Sequence, residues 1–157
     1  MTGSEGDQIG RAFRAGLRFI SYRPRSRQEI RLRLGRRFGA GVVDMALDRL
    51  EEQGYIDDAT FARFWRESRE AYRPRSAGLI RRELAQRGVG REVVEEAVAG
   101  LDDDANAYRA GLGRMRSLAG LDYVTFRRRL EGYLRRRGFG TDAVRKAVKR
   151  LWRERSS

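Results

Sequence analysis

Residues 23–26, Arg23-Pro24-Arg25-Ser26, return unchanged as Arg73-Pro74-Arg75-Ser76, and these two tetrapeptides hold both prolines of the chain. A proline-bearing tetrapeptide that recurs after 50 residues points to an internal repeat. At the same offset Ile30 matches Ile80 and Leu34 matches Leu84. One further residue of offset brings Val42, Val43, Ala46 and Leu50 onto Val93, Val94, Ala97 and Leu101. A third copy follows, in which Leu130, Leu134, Gly138, Gly140, Val144, Ala147, Val148 and Leu151 stand 50 residues after Ile80, Leu84, Gly88, Gly90, Val94, Ala97, Val98 and Leu101.

Within each copy the apolar residues recur at spacings of three and four, the period of a helix with one buried face. The first copy offers Phe13, Leu17 and Ile20, then Ile30, Leu34 and Phe38, then Val43, Ala46, Leu47 and Leu50. The second offers Phe61, Trp65 and Tyr72, then Ile80 and Leu84, then Val94, Ala97, Val98 and Leu101; the third begins with Tyr108, Leu112 and Met115, continues with Phe126, Leu130, Tyr133 and Leu134, and ends at Leu151. No strand-like alternation competes with this pattern. The spacing predicts an all-α protein of three tandem three-helix repeats over 11–57, 58–101 and 102–155, behind a flexible N-terminal tail over 1–10.

Local punctuation agrees with the register. Ser26 followed by Glu29 is a capping box, Ser76 and Thr141 are expected N-caps, and Gly54 and Gly88 are placed to close helices in the left-handed conformation. Asp57-Asp58 and Asp102-Asp103-Asp104 lead into the next repeat's first helix, where carboxylates accept orphan N–H groups and complement the helix dipole.

The chain of 157 residues carries 35 Lys and Arg against 22 Asp and Glu, a net charge of +13, with neither His nor Cys. That composition excludes Ser-His and Cys-His nucleophiles, thiol redox centres, disulfides and the usual zinc sites. With 40% apolar residues it is rich enough to fold, and it has neither a membrane-length apolar run nor a signal-peptide core near Met1, so it reads as soluble and intracellular. All the basic residues except Lys146 and Lys149 are arginine, a bias that a GC-rich genome explains as well as selection for forked guanidinium contacts.

The charge is banded. Residues 11–38 hold ten arginines and one glutamate, whereas residues 41–58 hold six acids and one arginine. Residues 73–87 hold five arginines and one glutamate, and residues 88–104 again six acids and one arginine. In the last repeat the alternation stops, because Arg127 to Arg129 and Arg135 to Arg137 are followed by Arg145, Lys146, Lys149, Arg150, Arg153 and Arg155. A helix-turn-helix reader would place the third helix in the major groove, yet in the first two repeats that helix bears Asp44, Asp48, Glu51 and Glu52, or Glu92, Glu95 and Glu96, which phosphates repel. Contact with a polyanion, either nucleic-acid backbone or an acidic protein groove, is expected along the second helices and the C-terminal repeat. The candidate contacts are Arg23, Arg25, Arg31, Arg33, Arg73, Arg75, Arg81, Arg82, Arg127, Arg128, Arg129, Arg135, Arg136, Arg137, Lys146, Lys149 and Arg150. The carboxylate pairs recur at repeat junctions rather than converging, and no G-K-[ST] phosphate loop is present, so no catalytic residue, metal or cofactor is expected.

The stretch Gly54-Tyr55-Ile56-Asp57-Asp58-Ala59-Thr60-Phe61-Ala62, preceded by Leu47 and Leu50 and followed by Ile80, Glu83, Leu84, Arg87, Gly88 and Val89, resembles the bacterial RecX regulatory proteins. The similarity runs from about Leu17 to Leu151, and Gly54, Tyr55, Asp57, Asp58 and Phe61 are its sharpest part. It departs from the family pattern at Arg37-Phe38, where Lys-Gly is common, and at Arg75-Ser76, in an approach that usually contains glycine. The resemblance implies an elongated, curved helical array. It also implies a non-enzymatic cytoplasmic regulator that binds RecA filaments on single-stranded DNA and inhibits their assembly and activity, with weak backbone-directed DNA binding. Tyr55, Asp57 and Asp58 are then expected to form a repeat junction, Tyr55 by packing and Asp58 by capping. A helical-repeat nucleic-acid-binding module without a RecA partner is the alternative that the charge bands alone support. The charged terminal repeats favour a soluble monomer.

Overall fold

The computed structural model describes residues 3–155, and among them every regular element is helical. The first repeat supplies α1 (Glu5–Ile20), α2 (Arg27–Leu34) and α3 (Ala40–Glu52). The second supplies α4 (Asp58–Ala71), α5 (Ala77–Gln86) and α6 (Arg91–Val98). The third supplies α7 (Asp103–Leu112), a short 3-10 helix (Met115–Leu118), α8 (Tyr123–Arg136) and α9 (Thr141–Arg155). None of the described helices is long and apolar enough to cross a membrane.

The chain divides into two compact units: the described residues up to Phe64 together with Leu84–Ala97, and Trp65–Glu83 together with the described residues from Val98 on. In the first unit α1 packs on α3 and both rest on α2, burying Ile9, Ala12, Ile30, Leu34, Val43, Ala46, Leu47 and Leu50. In the second unit α7, α8 and α9 repeat that arrangement around Ala107, Ala110, Phe126, Leu130, Leu134, Val144, Ala147, Val148 and Leu151. Ile30 and Leu130, Leu34 and Leu134, and Leu50 and Leu151 occupy matching core positions, as the repeat register requires.

Each of these cores has a glycine where its first helix meets the third. A Cβ on Gly16 would lie 2.8 Å from Leu50 Cδ1, and one on Gly111 would lie 2.6 Å from Leu151 Cδ1. A side chain at either glycine would force the facing leucine to move within a close-packed interior.

Helix starts explain the buried serines. Ser26 and Ser76 are almost wholly buried. Ser26 Oγ accepts the Glu29 N–H at 3.1 Å while Glu29 Oε1 accepts the Ser26 N–H at 3.0 Å, closing the expected capping box. Ser76 Oγ accepts the Leu79 N–H at 3.0 Å. The aspartate pairs divide their labour. Asp57 caps its own helix, accepting the Ala59 N–H at 3.0 Å and the Thr60 hydroxyl at 2.9 Å. Asp58 instead reaches back 31 residues to accept the Arg27 N–H at 2.9 Å. The next junction repeats this: Asp102 accepts the Ala105 N–H of α7 at 3.1 Å, and Asp103 reaches back 26 residues to the Ala77 N–H at 2.9 Å. A second aspartate of each pair therefore satisfies the middle helix of the preceding repeat.

Several expectations are corrected. The flexible tail over 1–10 is helical from Glu5, because Ser4 caps Asp7 N–H at 3.2 Å and Ile9 is buried in the first core; Met1 and Thr2 lie outside the described residues. Thr141 is the first residue of α9 rather than its cap. Asp58 caps α2 rather than its own helix. Tyr72 and Leu112 fit the apolar spacing but are 80% and 50% exposed, since each sits in the last turn or just past the end of its helix. Gly54 and Gly88 do adopt the left-handed conformation, with φ of 80° and 79°.

Leu84→Ala, at a fully buried site, is expected to cost about 2–5 kcal/mol, whereas Tyr72→Ala should stay within about 0.5 kcal/mol. Thermal melts compare them, and equal effects would contradict the core assignment.

Neighbouring aspartates are also expected to titrate in opposite senses. The Thr60 hydroxyl, its largest influence, holds Asp57 below the usual carboxylate value, so its contribution to stability is present above the unfolded-chain value and is lost as pH falls through the folded one. Burial, the largest influence on Asp58, pushes that carboxyl up and outweighs the Arg27 N–H, so its contribution is present at low pH and is lost as pH rises through the folded value. Carboxyl-resolved NMR titration should place the Asp57 midpoint below that of Asp58; the reverse order would show that the junction is not packed as described.

Candidate nucleic-acid interface

The basic bands split into two chemical populations. In the first, the guanidinium is consumed inside the fold. Arg23 pairs with Glu29 at 2.7 Å and donates to the Pro24 carbonyl at 2.7 Å. Arg25 lies 4.0 Å from the Phe19 ring centroid and donates to the Phe19 carbonyl, and burial, the leading influence, lowers its pKa from the usual arginine value. Arg75 binds Glu83, as does Arg69 at 3.1 Å, and Trp65 Nε1 donates to the same carboxylate at 3.3 Å. Burial likewise lowers Arg75.

Other candidates are exposed but partnered. Arg31 stands 3.7 Å from Asp44, and Arg127 stands 3.9 Å from Glu131. Lys146 pairs with Asp104 at 2.9 Å, a hydrogen bond that raises its pKa, and Arg150 pairs with Glu154 at 2.9 Å while stacking 3.7 Å from the Tyr108 ring. Arg33 leans on Phe19 at 5.1 Å. Arg81, Arg82, Arg135 and Lys149 are solvent-exposed on α5, α8 and α9.

The second population lies in the C-terminal unit. One cleft, of about 340 Å³, is lined by Arg114, Ser117, Leu118, Arg128, Arg129, Leu130, Gly132, Tyr133 and Arg136. Another, of about 400 Å³, is lined by Ala71, Arg73, Pro74, Arg109, Ala110, Gly113, Arg114, Tyr133 and Arg137. They share Arg114 and Tyr133, so they adjoin. Seven arginines line them and no carboxylate does. None of the seven is within ion-pair distance of an acid among the described residues, in contrast to Arg23, Arg69 and Arg75.

Helical spacing puts these groups together. On α8, Arg128, Gly132 and Arg136 form one row and Arg129 and Tyr133 the next, while Phe126, Leu130 and Leu134 face the core. The placement of Arg73 is set by its neighbour. At the equivalent site of the first repeat Glu29 neutralises Arg23, but 50 residues on stands Leu79, which leaves Arg73 without a counter-charge. Arg73 also has φ of 54°, the one positive value among described non-glycine residues.

The sequence bands named Arg73, Arg128, Arg129, Arg136 and Arg137. They missed Arg109 and Arg114, which lie outside the bands on and just after α7; the apolar spacing included Tyr133, which packs partly against the third core and also lines both clefts. A signal existed, because Arg109 follows Tyr108 as Arg14 follows Phe13, on the face beside the buried alanines of the first helix. A closely spaced set of unneutralised guanidiniums in a concave surface attracts a phosphate backbone electrostatically and offers forked donors to its oxygens.

The family-motif residues gather elsewhere, in the first unit. Gly54, Tyr55, Asp57 and Phe61 line a cleft of about 340 Å³ with Arg23, Pro24 and Arg25, and Asp58 turns away to Arg27. Tyr55 packs edge-on against Phe13, with centroids 6.2 Å apart, and Phe61 is fully buried.

Comparison with known proteins agrees with the repeat register. Family models described as the first, second and third three-helix domains of RecX match residues 12–50, 57–98 and 102–148. The chain is 31% identical over 144 residues to the regulatory protein RecX of Chlorobium phaeobacteroides, covering 91% of this chain and 95% of that protein. It is 35% identical over 147 residues to the regulatory protein RecX of Thermobifida fusca, covering 91% and 80%. The crystal structure of RecX from Lactobacillus salivarius superposes with a TM-score of 0.75 at 17% identity, over 93% of this chain and 97% of that one. With all three domains matched in order and relatives aligned along nearly their whole length, the chain belongs to the RecX family of regulatory proteins.

Proposed function

We propose that this protein is a non-enzymatic, cytoplasmic regulator of RecA recombinase, which binds RecA filaments on single-stranded DNA as a monomer and inhibits their assembly and activity. Membership of the RecX family supports the RecA partner. The observation that carries the contact chemistry is the arginine-lined surface beside α7 and α8, which no carboxylate lines and whose arginines form no ion pair among the described residues. Acidic third helices keep nucleic acid away from the face that a helix-turn-helix reader would use, because Asp44, Asp48, Glu51 and Glu52 crowd α3.

Inhibition needs no bond making. Occupying filament surface blocks subunit addition or the movements tied to ATP turnover. Serial repeats allow several weak contacts to add through effective concentration, so phosphate contacts at the C-terminal unit need only be modest.

Titration well below equimolar into preformed RecA filaments on single-stranded DNA tests the reading, with ATP turnover and filament length followed. Suppression at such ratios is expected. No effect on filaments, together with salt-sensitive binding to bare DNA or RNA, would favour a nucleic-acid-binding module instead. Joint reversal of Arg128 and Arg129 to Glu should abolish most of the suppression while helicity and melting temperature stay nearly unchanged, because exposed charges contribute about 0–1 kcal/mol to folding. A large drop in melting temperature would show these arginines to be structural.

A further inference from the structure

We propose that Tyr133 is the positioning residue of a phosphate cradle, in which Arg73, Arg109, Arg114 and Arg137 take consecutive phosphodiesters of one nucleic-acid strand. The inference rests on the nucleic-acid contact proposed above and goes beyond it by giving the site a centre, an order and a strand preference.

Two guanidiniums share one ring. Arg114 lies 4.9 Å and Arg137 5.2 Å from the Tyr133 centroid. A guanidinium held against an aromatic ring spends its π surface there and keeps its N–H edges free, the edges that fit phosphate oxygens as a fork. The ring therefore holds two like charges near each other without cancelling either, which no carboxylate at this position would do. Tyr133 is itself fixed, partly buried against the third core beside Leu130 and Leu134.

Arg109 is tethered in the same spirit. Its Nη1 donates to Asn106 Oδ1 at 3.1 Å and its Nη2 to the Glu70 carbonyl at 2.9 Å. Both acceptors are uncharged, so the side chain is oriented while its full positive charge remains. Arg73 completes the rim from a left-handed backbone conformation, ahead of the buried Pro74. Strained residues of this kind persist where the surrounding structure holds them, and they concentrate at ligand sites. Three of the four groups are thus ordered before any ligand arrives, which lowers the entropic cost of binding.

The walls decide between strand types. Ala71, Pro74, Ala110 and Gly113 line, together with the donors, a concavity of about 400 Å³, at which Arg73, Arg109 and Arg114 are exposed and Arg137 is half-buried. A flexible single strand can follow its backbone into that concavity. A duplex, stiff over about 50 nm, presents its phosphates on a convex cylinder and meets only the rim.

The test measures anisotropy of a labelled oligothymidine, and of a duplex of equal length, against the full-length chain at several salt concentrations. Wild type is expected to bind the single strand more tightly than the duplex. Tyr133→Phe should retain affinity within about twofold, and Tyr133→Leu should lose about tenfold, because the ring rather than the hydroxyl holds the guanidiniums. Arg73→Gln and Arg114→Gln, whose side chains are exposed, should each reduce the log–log salt slope by about 0.7 without loss of helicity. These two variants keep the cradle testable if Tyr133→Leu fails to fold. Wild-type affinity in Tyr133→Leu, equal losses in Phe and Leu, an unchanged slope in both arginine variants, or preference for duplex would overturn the cradle. Filament suppression without any oligothymidine binding would overturn it while leaving the RecA reading standing. Cradle-dependent binding with no effect on filaments would do the opposite.

Discussion

In the first two repeats the N-terminus of the middle helix is where one repeat meets the next. The first turn of a helix leaves N–H groups without partners, and burying that turn makes each of them costly. Here Ser26 and Ser76 satisfy one donor from within the repeat, and Asp58 and Asp103, each the second aspartate of the following junction, satisfy another from outside it. Both serines are buried, and the Ser76 N–H is itself taken up by the Arg137 carbonyl. Three-helix units of this size have small cores, so a shared cap does for them what a larger hydrophobic interior does in an ordinary domain: it makes the folding of one unit conditional on its neighbour.

The same economy governs the arginines. A folded chain this basic must either neutralise its guanidiniums or leave them to a partner. Around α2 the first course prevails, with Arg23 on Glu29 and Arg27 on both Asp48 and Glu51. In the first repeat the acidic third helix therefore serves partly as internal counter-charge to the basic second helix. In the third repeat α9 is itself basic and supplies no such counter-charge to α8, so Arg128, Arg129 and Arg136 are left facing solvent.

Repeat register, helix periodicity, the Ser26 capping box and the left-handed glycines at 54 and 88 were legible in the sequence because each is decided within a few residues. Contacts decided across 20 or more residues were not. Nothing local distinguishes Asp57, which caps its own helix, from Asp58, which reaches Arg27. The expected tail fails for a related reason: Ile9 is a lone apolar residue among polar ones, and only the assembled first core gives it somewhere to be buried. Counting charge located the basic bands correctly but could not sort paired from unpaired arginines, since that depends on which acid the fold brings near. Arg114 and Arg109 escaped because a site is built from elements distant in sequence.

One middle-helix position shows how the repeats diverge while the scaffold stays constant. Arg33, Glu83 and Tyr133 stand 50 residues apart, on α2, α5 and α8. In the second repeat Glu83 gathers Arg69 and Arg75 into a nearly buried cluster closed by the Trp65 indole, so two basic residues are withdrawn from the surface. In the third, an aromatic ring occupies the site and withdraws nothing: it orders Arg114 and Arg137 while their charge stays available. A carboxylate at 133 would draw Arg114 and Arg137 into a second ion-paired cluster, and would give up the packing that the Tyr133 ring makes against the third core. The choice of side chain at this one position separates a repeat that pairs its neighbouring arginines with a carboxylate from one that holds them against a ring with no ion pair.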